Sequence, residues 1–154
     1  MSPRLSYRRV APEVYQKQSE LTTAAAAGLD LILVELVKTR VSQINGCAFC
    51  LNMHTKVLRD AGETEQRIYL LDAWRETPLY TERERAALAW AEAVTRLTNG
   101  EVADEVYDQA RAQFSDEELV HLTYVTTTIN AWNRLAISFR PPVRPDRPTA
   151  SEQR

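Results

Sequence analysis

Two four-residue boxes, Thr81-Glu82-Arg83-Glu84 and Ser115-Asp116-Glu117-Glu118, each stand directly before a run of apolar residues spaced by three and four. A Ser or Thr followed three positions later by Glu marks a helix start, because hydroxyl and carboxylate each satisfy a backbone N–H that the first turn leaves unpaired. Behind the first box come Leu88, Ala91 and Val94, and behind the second Leu122, Val125 and Ile129, each set lying on one helical face. The stretch from Val125 to Ile129 is β-branched throughout and has strand propensity, but its spacing favours a helix. Few alternating apolar and polar runs occur, and the 154 residues contain only four glycines. The expectation is an all-α chain of one domain, long enough to close around a hydrophobic core, with about six to seven helices.

Taken in order, residues 1–10 read as an irregular arm. Pro12 suits the first turn of a helix from about Ala11 to Ala27, stopped by Gly28. Asp30 caps a second helix reaching Ile44, with Leu33, Val37 and Val41 on its apolar face and Glu35 on or near that side. Asn45-Gly46 breaks this helix, and a third follows at once from Cys47 to about Ala61, closed by Gly62. Thr64 opens a short helix that Thr77-Pro78 ends. The two boxed helices come next, the first running to Asn99-Gly100 and the second to Phe139, with another over 103–113 between them. The helical domain thus spans 11–140. Residues 141–154 are rich in proline and poor in apolar surface, so a disordered tail is expected.

Charge narrows the partners. With 19 basic and 21 acidic side chains there is no positive field to hold nucleic acid or an anionic membrane. The apolar stretch from Leu29 to Val37 is interrupted by Asp30 and Glu35 and falls well short of the ~20 residues of a spanning helix. No secretory pattern precedes it, and a cytoplasmic protein is expected. In that compartment thiols stay reduced, so cysteines spaced C-x-x-C point to catalysis or metal binding before a structural staple.

Both cysteines and one of the two histidines fall within the nine residues from Gly46 to His54. On a helix beginning near Cys47, the residues Cys47, Cys50 and His54 share one face. A helix N-terminus carries partial positive charge, which favours a thiolate there. His54 is a base within reach of Cys50, directly or through one water, and Glu35 on the preceding helix can orient the imidazole. Such a dithiol can reduce a peroxide through a sulfenic acid that the second thiol resolves to a disulfide. Blander readings stand beside this one. Cysteines can be small buried side chains. Structural zinc wants four ligands, and the chain offers two sulfurs, His54 and either Glu35 or His121. Glu35 can pair with Lys38 on its own helix, and spacing alone does not decide between that and a relay. His121 reads as a packing or surface histidine, and Trp74, Trp90 and Trp132 as core or subunit-interface residues.

The joined pattern of Glu35, eleven intervening residues, Cys47-x-x-Cys50 and then His54 resembles the active-site motif of the AhpD-like alkylhydroperoxidases, within the carboxymuconolactone decarboxylase superfamily. The flanking segments Val41-Ser42-Gln43-Ile44-Asn45-Gly46 and Asn130-Ala131-Trp132-Asn133-Arg134-Leu135 are similar to the single-domain branch of that family, and the resemblance covers roughly residues 10–140. It implies an all-helical bundle with the C-x-x-C at the start of a central helix and a homo-oligomer, trimer or hexamer. It also implies catalytic roles for four residues: Glu35 and His54 as a proton relay, Cys50 as the sulfur that attacks peroxide, and Cys47 as the sulfur that resolves it. No cofactor or metal is implied; the partners are a small-molecule peroxide and an external dithiol or protein reductant. Some members carry a further histidine between the cysteines, where this chain has Phe49. The alternatives are a lactone decarboxylase on the same fold and a non-enzymatic redox sensor.

Overall fold

The Asp30 side chain accepts a hydrogen bond from the Leu33 backbone N–H at 3.0 Å and so starts the helix against which the others pack. The structure, a computed structural model, describes residues 2–145. Among these residues there are eight α-helices and no strand: α1 Tyr7–Val10, α2 Pro12–Ala26, α3 Leu31–Asn45, α4 Ala48–Asp60, α5 Glu65–Leu70, α6 Glu82–Arg96, α7 Asp104–Arg111 and α8 Asp116–Phe139. Helix α3 is central, packing on α4, α6 and α8, while α2 lies along α8 and α7 against α6. Leu36, Val37 and Val41 of α3 are fully buried, and withdrawing each such side chain from water stabilises the fold by about 1.5–3 kcal/mol. The core has two parts. One gathers Val34, Val37 and Val41 with Leu122, Val125 and both cysteines, and the other gathers Leu36 with Leu58, Leu71 and Leu88.

The capping boxes form in full at Thr81/Glu84 and Ser115/Glu118, so α6 and α8 begin where the sequence indicates. Four boundaries differ. The arm is not wholly irregular, because α1 folds inside it: the Ser6 carbonyl accepts the Val10 N–H, and the Tyr7 ring packs near Tyr15, Trp132 and Phe139. The helix opened by Thr64 breaks after Leu70 into a 3-10 stretch, Leu71–Glu76, at whose centre Ala73 leaves helical geometry. Helix α6 stops at Arg96 because Leu97 turns left-handed, at φ 41°, and Asn99 does the same at φ 60°. Helix α7 stops at Arg111, two residues short of expectation. Residues 141–145 carry no regular structure; the remainder of the expected disordered tail lies outside the described residues.

His121 packs α8 onto α2, its Nδ1 donating to the Ala25 carbonyl at 3.1 Å. Trp74 and Trp90 are buried and Trp132 half-buried. Beneath α3, Arg40 and Glu92 form a buried ion pair at 2.7 Å, and the same carboxylate accepts from Trp74, Arg75 and Arg96. Among the described residues no helix is long and apolar enough to cross a membrane.

Candidate active site

The site starts from a turn. Helix α3 ends in a Schellman motif: the Gly46 N–H bonds to the Gln43 carbonyl at 3.1 Å and the Cys47 N–H to the Ser42 carbonyl at 3.0 Å. The motif needs a left-handed residue at position 46, where φ is 69°, and glycine adopts that without strain. One residue later α4 begins. Cys47 is therefore the N-cap of α4, its Sγ accepting from the Cys50 N–H at 3.4 Å. Cys47 thus stands at the helix N-terminus, one residue before the first helical turn.

The two sulfurs are 2.7 Å apart, and each cysteine is only 1% exposed. They share their protons unequally. A hydrogen bond from Cys50 lowers the Cys47 thiol to about 7 against the opposing effect of burial, helped by the backbone N–H groups of Cys50 and Phe49 and by the Asn133 amide. Cys50 moves the other way: its hydrogen bond to Cys47, burial and the neighbouring negative charge all hold its proton on. Of the two, Cys47 is the sulfur that ionises first, while Cys50 keeps its proton.

One turn after Cys50, His54 is buried. Its Nδ1 lies 2.6 Å from Oε2 of Glu35, while the other oxygen of Glu35 accepts from Lys38 at 2.9 Å. Burial favours the neutral acid, but the hydrogen bonds and charges of His54 and Lys38 outweigh it and hold the Glu35 carboxyl below its usual range. An ionised carboxylate accepts only, so Nδ1 carries the proton and donates. Nε2 is then left buried with no hydrogen-bond partner in the protein. The four expected residues thus form two tight pairs, and His54 makes no hydrogen bond to either sulfur. Among the described residues no group of three or more His, Cys, Asp or Glu side chains is arranged to hold a metal ion.

The sequence profile of the Carboxymuconolactone decarboxylase family matches residues 12–93, more than half of the chain. The chain belongs to that family. Uncharacterized protein YdfG of Bacillus subtilis strain 168 is 42% identical over 148 residues, covering 90% of this chain and 95% of YdfG. A solved structure from Agrobacterium tumefaciens, a protein of unknown function provisionally assigned to AhpD antioxidant defence, superposes with a TM-score of 0.88 at 42% identity, covering 93% of this chain and all of that one. An uncharacterized peroxidase-related protein from Silicibacter sp. TM1040 gives a TM-score of 0.72 at 25% identity, covering 89% of this chain and 71% of that one. The AhpD-like, all-α expectation holds.

This carboxymuconolactone decarboxylase family member also has polar residues that motif spacing did not single out. Asn133 of α8 is fully buried. Its amide donates to Ser42 Oγ at 3.0 Å and toward both sulfurs, and its carbonyl accepts from Asn45 at 2.8 Å. Asn45 reaches Asn130 at 2.9 Å, and Asn130 reaches Thr95 at 2.9 Å. The available signal was the presence of Asn130 and Asn133 beside the apolar face of α8. Tyr7 is the other addition. Burial first, then the negative charges of Tyr15, Cys50 and Cys47, raise its phenol, so the arm approaches the dithiol.

Proposed function

We propose that the chain is a thiol-dependent peroxidase that reduces small organic hydroperoxides or hydrogen peroxide as Cys47 and Cys50 pass from dithiol to disulfide. The observation that carries the reading is the 2.7 Å contact between two buried sulfurs at a helix start, one of them with a lowered pKa. Kinship with AhpD-like and peroxidase-related proteins supports it.

The chemistry balances as follows. The Cys50 proton moves to Cys47 or, through water, to Nε2 of His54. Cys50 then attacks the terminal oxygen of the hydroperoxide; an S–O bond forms as the O–O bond breaks, and the departing alkoxide takes a proton to become an alcohol. The higher pKa of Cys50 makes its thiolate the stronger nucleophile once formed. The alkoxide's proton is the one that Cys50 gave up, so Cys47 is again a thiolate when it attacks the sulfenic sulfur; the disulfide closes as hydroxide leaves and takes a proton from solvent to become water. Two electrons have passed from the thiols to the peroxide, and an external dithiol or protein reductant returns them by exchange. The reading includes a trimeric or hexameric assembly and no bound cofactor. Decarboxylation of a lactone acid needs no redox couple and gives the paired sulfurs nothing to do.

The test is to titrate free thiols in the reduced protein before and after one equivalent of cumene hydroperoxide. Loss of two thiols, with cumyl alcohol formed in equal amount, is the expected result. Untouched thiols beside unconsumed peroxide overturn the reading, and a single oxidation without turnover in the presence of dithiol makes the protein a redox sensor instead.

A further inference from the structure

Both sulfurs are 1% exposed, so a peroxide reaches them through the protein and not across open surface. A cavity of about 430 Å³ lies beside the segment that carries them, walled by Tyr7, Tyr15 and Phe49, one of the two residues between the cysteines, and bounded on another side by Pro141 and Pro142, with neither sulfur in its wall. That volume suits a small organic molecule, since ligand sites generally run from about 300 to 1,000 Å³. Phe49 joins the cavity wall to the dithiol, since Cys50 follows it directly in the chain, and Tyr7 shares that wall.

The cavity combines two chemistries. Its walls are aromatic, and Arg4, Arg8 and Arg9 also line it, yet no Asp or Glu does. Three guanidiniums without a carboxylate are conspicuous in a chain of net charge −2. Arg4 donates to the Ser138 carbonyl at 3.0 Å and Arg8 lies over the Tyr15 ring at 5.4 Å; among the described residues, none of the three arginines is ion-paired. The arm that carries them is tied down, with the Arg4 N–H bonded to the Phe139 carbonyl at 3.0 Å and Tyr7 packed near Phe139. A fixed aromatic chamber with uncompensated guanidiniums matches an apolar body that ends in an anion. Guanidinium and carboxylate pair in two parallel hydrogen bonds, which is the match that Arg makes better than Lys.

Building on the peroxidase reading, we infer that this cavity binds the peroxide substrate and selects hydroperoxides with a compact aromatic or branched apolar body and a carboxylate at the far end. Arg8 and Arg9 hold the carboxylate, the aromatic side chains hold the body, and the peroxide group passes Tyr7 and Phe49 to the sulfurs. The residue that stands where some relatives have a histidine is, in this arrangement, part of the substrate's apolar wall.

Two measurements test this, one of them independent of turnover. Titration calorimetry compares 4-(2-hydroxypropan-2-yl)benzoate, the alcohol product of such a substrate, with its methyl ester, which has the same body and no charge. Stopped-flow thiol oxidation compares cumene hydroperoxide with its para-carboxylate. The wild type is expected to bind the acid about tenfold more tightly than the ester and to show a similar preference in second-order rate, the preference shrinking as salt is raised. In Arg8→Gln/Arg9→Gln both ratios fall toward one, and in Arg8→Lys/Arg9→Lys they are partly restored. Equal binding of acid and ester by the wild type overturns the assignment, as does an undiminished preference in the Gln variant. If cumene hydroperoxide consumes the thiols but its carboxylate reacts no faster, the cavity assignment falls and the peroxidase reading stands. If neither hydroperoxide touches the thiols while acid-selective binding persists and depends on the arginines, the peroxidase reading falls and the cavity remains an anion site.

Discussion

Glu35 holds the imidazole of His54 from its Nδ1 side at 2.6 Å, and this single contact fixes which nitrogen is free for chemistry. Nε2, buried and unpaired, faces no competing donor or acceptor of the protein. A base oriented in this way is suited to taking up one proton at Nε2.

Replacing His54 by Ala is expected to slow thiol oxidation by cumene hydroperoxide about 100-fold at pH 7, with partial recovery at higher pH as hydroxide takes over the proton. Circular dichroism should remain that of a helical protein. Parallel pH profiles for wild type and variant would remove His54 from the relay.

Cys47 ionises near 7, held there mainly by the Cys50 hydrogen bond. The reaction rate of the wild type is therefore expected to rise with pH through about 7 and then level off. In Cys47→Ser the acceptor for the Cys50 proton is gone, so the rise shifts to higher pH and a dimedone-reactive sulfenic acid accumulates on Cys50. Mass spectrometry of the trapped adduct checks the assignment; an adduct on Cys47 in Cys50→Ser and none in Cys47→Ser would reverse the roles of the two sulfurs.

Asn133→Ala removes an amide that serves Ser42, Asn45 and both sulfurs. The loss is expected to cost about 1–3 kcal/mol in urea denaturation, because the partners remain buried. It should also raise the pH at which the thiols react with iodoacetamide. A change in stability with no movement of that pH profile would make Asn133 a packing residue only.

Glu92 supplies an acid limit to stability. Burial works against its charge, but hydrogen bonds from Trp74, Arg75 and Arg40 bring its carboxyl down from 4.5 to about 2. A carboxyl whose folded value is depressed contributes stability that is fully present above its unfolded value and is lost as pH falls through the folded one. Thermal denaturation should therefore show the Glu92 contribution intact at pH 6 and declining from about 4.5 to about 2. Glu92→Ala leaves the buried Arg40 with Asp72 and Gln43 as its remaining partners and is expected to destabilise by about 1–3 kcal/mol at neutral pH and to flatten that decline.

Much of this architecture is written locally. Thr81 and Ser115 announce α6 and α8 because a capping box involves residues only three apart, and Gly46 announces the turn because few other residues tolerate φ 69°. The candidate site was legible for the same reason: Cys47, Cys50 and His54 share one short helix, and Glu35 lies one helix before. Spacing offered Glu35 two partners, His54 and Lys38, and the structure joins it to both. What depends on distant contact was not legible. Tyr7 could not be assigned a place, since besides its neighbour Tyr15 the arm packs near Trp132 and Phe139, more than a hundred residues away. Leu97 gave no warning that it would stop α6, because the left-handed region it occupies is one that leucine rarely adopts.

Cys47 stands outside the ladder of α4, with φ −89° and ψ 93°, whereas Cys50 lies within it. Only the first of the two sulfurs is carried by a residue that belongs to no helix, and its backbone is already tethered to the end of α3. Under the proposed cycle, the sulfurs would join and part at the seam between two helices, so that a change of one side chain at Cys47 need not disturb the hydrogen-bond ladder of α4.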